Sequence, residues 1–159
     1  MKNKGFSLVE LIIVIAIMAI LAAAIAPALI RYIDKSRRSD DVAAAETINT
    51  ATQAALANED AYDEVQDQMP TNASSAVALL VAEKDTAFSE LSGSYPSFKE
   101  EINSSCGGKA PKLKYTKESA KYWFVGVNGA GKPVVWLGST NAATGTKWEM
   151  QPTIDKKYK

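Results

Sequence analysis

The chain has 159 residues, 18 Lys+Arg against 18 Asp+Glu, and no histidine. Zero net charge predicts no gross basic surface for nucleic acid, and the missing imidazole excludes Ser-His-Asp or Cys-His catalysis and any zinc site that needs histidine. Cys106 is the only cysteine, which excludes an intrachain disulfide or a Cys-x-x-Cys motif; flanked by Ser105 and Gly107-Gly108, it reads as an inert or semi-buried loop thiol, with an intermolecular role as the alternative.

Lys2 and Lys4 stand before a run from Leu11 to Ile30 that carries no charge. About twenty such residues make a helix of about 30 Å, enough to cross a bilayer, and the leading lysines favour a cytoplasmic start. Arg31, Lys35, Arg37 and Arg38 follow on the far side, offset by Asp34, Asp40 and Asp41, so orientation rests on the first segment rather than on a clean charge asymmetry. A secretory signal peptide has the same outline, with Ala24-Ile25-Ala26 as its cleavage site. Two features oppose that reading. Glu10 lies inside the apolar block, where a carboxylate costs about 2.5–3.5 kcal/mol on insertion scales. Cleavage after Ala26 would also leave Pro27 at the new N-terminus of a pattern that continues past it. A lipoprotein is excluded because no cysteine follows the run.

Gly5-Phe6-Ser7-Leu8-Val9-Glu10, then Leu-Ile-Ile-Val-Ile-Ala-Ile and later Pro27, resembles the class III signal of type IV prepilins and pseudopilins, over roughly residues 4–35. The resemblance implies a leader of residues 1–5, cleavage between Gly5 and Phe6 by a prepilin peptidase, and N-methylation of the new amine. It also implies a single-pass cytoplasmic-membrane precursor. A platform protein and an ATPase would assemble that precursor into a helical homopolymer, a cell-surface pilus. Phe6, Glu10 and Pro27 are then the assembly residues, and loss of Lys2 and Lys4 leaves 16 basic against 18 acidic side chains. The new amine, with a reference pKa near 7.7–8.0, is mostly positive at neutral pH and can neutralise Glu10 in a lipid-like core, either in the same subunit or in a neighbour. Pro27 lacks an amide hydrogen and weakens the helix around Ala23–Ala26; a simple kink and local melting on assembly are both open. Ala19 stands where family members often carry glycine.

Residues 6–30 are thus expected as the transmembrane and assembly half of the first helix, and residues 31–159 as a head that includes its second half. Ala44, Ile48, Ala51 and Ala55 recur at helical spacing, with Asp40, Glu46, Asn49 and Gln53 mostly outside the stripe, and the helix is expected to end near Asn58–Tyr62. Asp60 to Ser75 reads as a loop. A second helix is expected over Ser75–Leu91, with Val77, Leu80, Val81, Phe88 and Leu91 buried and Gly93 as its stop. A short helical turn follows at Tyr95–Ile102, before the Gly107-Gly108 loop. Lys112–Tyr115, Tyr122–Val127, Pro133–Leu137 and Lys147–Met150 read as antiparallel strands, the middle two joined by Asn128-Gly-Ala-Gly-Lys132. Trp123, Phe124, Val134 and Trp136 are expected to pack on the first helix. The fold class is α+β: a long N-terminal helix on a small antiparallel sheet, pilin-like.

Other candidate motifs carry little. Gly129-Ala-Gly131-Lys132 resembles a phosphate loop, but Pro133 onward continues as strand and offers no helix N-terminus. The pairs Asp40-Asp41 and Glu100-Glu101 read as solvated. Lys109, Lys112, Lys114, Lys117 and Lys121 read as an exposed strand face, with DNA or a host surface as an unsupported alternative partner. Neither catalysis, nor a cofactor, nor a metal is expected. The rival function is a pseudopilin of a secretion or competence system. Major pseudopilins commonly bind calcium in their C-terminal loop, whereas Ser139–Gly145 here holds no carboxylate, a poor site for a hard cation.

Overall fold

A computed structural model describes residues 5–159; Lys2 and Lys4 of the expected leader lie outside the described residues. The chain divides into two compact units, residues 1–36 and 37–159. Helix α1 (Leu8–Leu56) belongs to both. In the first unit every residue from 5 to 33 is exposed.

In the second unit α1 buries Ala45, Ile48, Ala51 and Ala55, a ridge of small side chains around one large one that lets a sheet approach closely. Asn49 and Thr52 are also buried, so the stripe is wider than expected. Thr52 satisfies its hydroxyl by donating to the Ile48 carbonyl at 2.8 Å. The helix ends where Asn58 turns the chain. Its Oδ1 accepts the amides of Asp60 (3.0 Å) and Ala61 (3.4 Å) and starts α2 (Glu59–Gln66). This corrects the expected loop, which begins only after α2. The signal was an N-cap asparagine, acids in the first turn, and Ala61 and Val65 buried four residues apart.

The second correction is larger. Ser75–Leu91 is not a helix but strand β1 (Ala76–Glu83), a turn with Asp85 at φ 64°, and strand β2 (Ser89–Glu90). Periodicity cannot separate a short apolar run from a buried strand. Leu79 to Ala82 are all buried, as suits a strand covered on both faces rather than a one-sided helix. Helix α3 (Pro96–Ser105) is the helical turn expected at Tyr95–Ile102, extended to ten residues.

Strands β3 (Tyr122–Asn128), β4 (Pro133–Gly138) and β5 (Thr146–Gln151) complete an antiparallel sheet of order β2-β1-β3-β4-β5. Register fixes its faces. Trp123, Val125 and Val127 join Val135, Leu137, Trp148 and Met150 in one core with Ala45, Ile48 and Ala55 of α1. Phe124, Val134 and Trp136, expected on that face, stand outside this core, the first two buried and Trp136 half-buried, because successive strand residues point to opposite sides. Gly138 explains how Phe124 is accommodated: a Cβ there would sit 2.5 Å from its ring and 2.4 Å from the Gly145 carbonyl. Lys112–Tyr115 joins no strand. Its Lys114 and Tyr115 amides donate instead to the Asp41 carboxylate on α1, at 2.7 and 3.0 Å.

Candidate assembly site

The first helical turn is closed by two reciprocal bonds. The Ser7 amide donates to Glu10 Oε2 at 2.9 Å, and Ser7 Oγ accepts the Val9 amide at 3.3 Å. Ser7-x-x-Glu10 is therefore a capping box, satisfying helix-end donors that otherwise lack partners. Serine followed three residues later by glutamate, just before an apolar run, is the signal by which Ser7 could have been found. The box starts the helix at Leu8 and leaves Gly5, Phe6 and Ser7 outside it. Gly5 has no neighbour within 4 Å of where a Cβ would lie, and Phe6 is 84% exposed.

Gly5, Phe6 and Glu10 are thus gathered at one helix end, while Pro27 lies about 26 Å further along the axis. The helix continues through Pro27. Its missing N–H leaves the Ala23 carbonyl without the usual partner, while the Pro27 carbonyl accepts from Arg31 Nε at 3.3 Å. Along this stretch of helix, Leu8, Ile12, Ile15, Ile20, Ile25 and Ile30 are all more than half exposed. The helix is long and apolar enough to cross a membrane.

The head carries carboxylates in structural posts. Asp41, expected to be solvated, is fully buried. Burial pushes its carboxyl above the ordinary value and outweighs the two amides that favour the charged form, with Asp40 adding to the rise. Glu64 caps α3 from α2, accepting the amides of Ser97 and Phe98 at 3.0 Å each. Desolvation opposes its charge, yet those two amides hold it below the usual range. Burial pushes the half-buried Cys106 thiol up, which keeps it protonated and unreactive.

The lysine cluster is largely spoken for. Lys109 and Lys112 lie 2.9 and 3.5 Å from Asp85, and Lys114 lies 3.1 Å from Asp40. In the Asn128–Lys132 turn, Asn128 Oδ1 accepts the amides of Ala130 and Lys132 at 3.0 and 2.9 Å, so those donors are not left for a phosphate. A cleft of about 430 Å³ beside this turn is lined by Asn49, Gln53, Leu56, Pro133 and Pro152, with Lys132 its only charged group; no acid–base pair forms there.

An exposed apolar helix, opened by a glutamate that caps its first turn and followed by a small α+β head, is consistent with a membrane-anchored precursor. The chain matches the family described as the prokaryotic N-terminal methylation motif over residues 1–26. That motif supports a type IV pilin or pseudopilin-like protein, and the long helix with a small five-stranded antiparallel sheet is pilin-like. No solved structure matches it.

Proposed function

We propose that this protein is the structural subunit of a type IV pilus, cut between Gly5 and Phe6 by a prepilin peptidase, methylated on the Phe6 amine and polymerised through α1. The observation that carries the reading is one carboxylate, Glu10, at the head of a helix with exposed apolar side chains from Leu8 to Ile30. Packing copies of that helix side by side buries the apolar surface, at about 25 cal/mol per Å², and takes Glu10 out of water with it. The amine of Phe6 on an adjacent subunit supplies the compensating charge. Stranding one member of such a buried pair costs about 3–5 kcal/mol, so a register that separates them is rejected. In this assembly the pair sets the axial stagger, and Pro27 lets the helix yield around Ala23–Ala26.

Residues 1–5 serve as leader, 6–30 as the assembly segment and 31–159 as the head. The subunit waits in the cytoplasmic membrane until a platform protein and its ATPase draw it into a surface fibre. A pilus is favoured over a secretion pseudopilin by the Ser139–Gly145 loop, which has no carboxylate. The next one, Glu149, already accepts the Thr153 amide at 3.2 Å. Mass spectrometry of the mature chain is the first test: a start at Phe6 bearing one methyl group is expected, and a start at Pro27 would overturn the reading. Sheared surface fibres that contain this chain as the bulk component separate pilus from pseudopilin; a secretion defect on deletion, without such fibres, favours the pseudopilin.

A further inference from the structure

The base of the head collects cations from two distant parts of the sequence. Arg37 and Arg38 lie on α1, while Lys156, Lys157 and Lys159 follow β5. Arg38 Nη1 donates to the main-chain oxygens of Lys157 and Lys159, each at 3.3 Å, and its guanidinium sits 5.1 Å from the Tyr115 ring centroid. Tyr158 is buried, edge-on to Tyr115 at 5.8 Å and to Trp148 at 6.3 Å. The tail is thus pinned by its tyrosine, and Lys156, Lys157 and Lys159 are left exposed around it.

The acids nearby do not cancel this charge. Asp40 pairs with Lys114, and Asp41 is buried under the Lys114 and Tyr115 amides. Glu118 lies 3.4 Å from Lys157 Nζ, and Asp155 accepts the Lys157 amide at 2.8 Å. Arg37 and Lys156 make no ion pair among the described residues. Asp34, one turn before Arg37 and Arg38, is buried on α1 and already partnered, so five cations face three carboxylates, each at least partly engaged.

Arg37 follows Ile30, the last residue of the uncharged run, by about 10 Å of helix. The headgroup layer on one side of a bilayer is about 5–8 Å deep, given about 40–45 Å overall and about 30 Å of hydrocarbon, so Arg37 stands just beyond it and its long side chain can reach back to the phosphates. We infer that this collar binds the phosphate groups of anionic lipids in the leaflet from which the head emerges, resting the unassembled subunit on the membrane surface. Attraction to such a surface strengthens binding about fivefold per cation and fades within a Debye length. Extraction into a fibre then has to break these contacts.

The test uses the full chain in nanodiscs of phosphatidylcholine, with or without phosphatidylglycerol. A brief amine-labelling pulse is read by mass spectrometry at Lys156, Lys157 and Lys159, with Lys132 as internal control. Labelling of the tail lysines is expected to slow on the order of fivefold in the anionic discs, to recover at high salt, and to slow less in the Arg37→Gln/Lys156→Gln variant, whose tryptophan fluorescence reports that the head is folded. Equal labelling in both lipids would overturn the proposal. So would equal protection by millimolar inorganic phosphate in neutral discs, which would make the collar a small-anion site. Processing and polymerisation are not read, so failure here leaves the pilus reading standing.

Discussion

Asp41 is the most exacting place to test how the head is held together. Its two oxygens serve the Lys114 and Tyr115 amides at 2.7 and 3.0 Å, and the second bond is buried. Asp41→Ala strands the Tyr115 amide in the interior at about 1–3 kcal/mol, and the Lys114 amide, which water partly reaches, at roughly half that. The expected loss is about 2–4 kcal/mol, a large share of a typical 5–15 kcal/mol of stability and a fall in midpoint on the order of 10 °C. Asp41→Asn keeps one acceptor and should lose about half as much. The pH dependence has a definite sign. Because the carboxyl is raised above 3.8 in the folded chain, the unfolded chain ionises first. The stability contributed by this group is full below 3.8 and is lost as pH rises through its folded value. The advantage of the parent over Asp41→Asn should therefore be greater in acid than at neutral pH. Urea unfolding of the detergent-solubilised chain, followed through Trp123, Trp136 and Trp148, measures all of this. A loss below about 0.5 kcal/mol for Asp41→Ala, or an asparagine variant as damaged as the alanine one, would refute the reasoning.

Four further outcomes are expected. Glu64→Ala removes the cap of α3 and should cost about 0.5–1 kcal/mol after allowing for solvent screening; since its carboxyl is held below 4.5, the difference from the parent should be full above that value and vanish as pH falls through the folded one. Gly126→Ala places a methyl 1.8 Å from the Val77 carbonyl, opposite the bulge between Ala78 and Leu80, so urea titration should show a loss of about 2 kcal/mol or more, and a neutral result would mean β1 and β3 pair differently. Ser7→Ala should fray the first turn by about 0.5–2 kcal/mol, seen as faster amide exchange at Val9 in micelles, while fibres still form. Glu10→Ala should lose both the capping bond and the fibres, and abundant fibres in electron micrographs of that variant would sink the intersubunit pairing.

The N-terminal segment was legible because its signals are chemical oddities: a charge inside an apolar run, a proline inside a helix, a basic start. The β3–β4 hairpin was legible from its turn residues. Ser75–Leu91 misled because Leu80, Val81, Phe88 and Leu91 fit a helical stripe as well as a strand, and only β3, forty residues on, decides between them. Lys112–Tyr115 misled for a related reason: its alternation is real, since Leu113 and Tyr115 are buried, but its partner is a side chain, Asp41, rather than a strand. Asp41 itself could not be told from its neighbour Asp40, because burial on one face of α1 is a property of what packs there. Ser7 is readable from its place three residues before Glu10; Glu10 reads first as a charge in lipid, which masks its service to the helix end.

The contact of Arg38 with Lys157 and Lys159 joins points more than a hundred residues apart, and it does so without sulfur. A head closed in this way needs no oxidant to mature and is not loosened by a reductant. Its fastening answers instead to ionic strength and to whatever competes for one guanidinium. The same head can be made and kept under reducing or oxidising conditions, and its integrity reports nothing of the redox state around it.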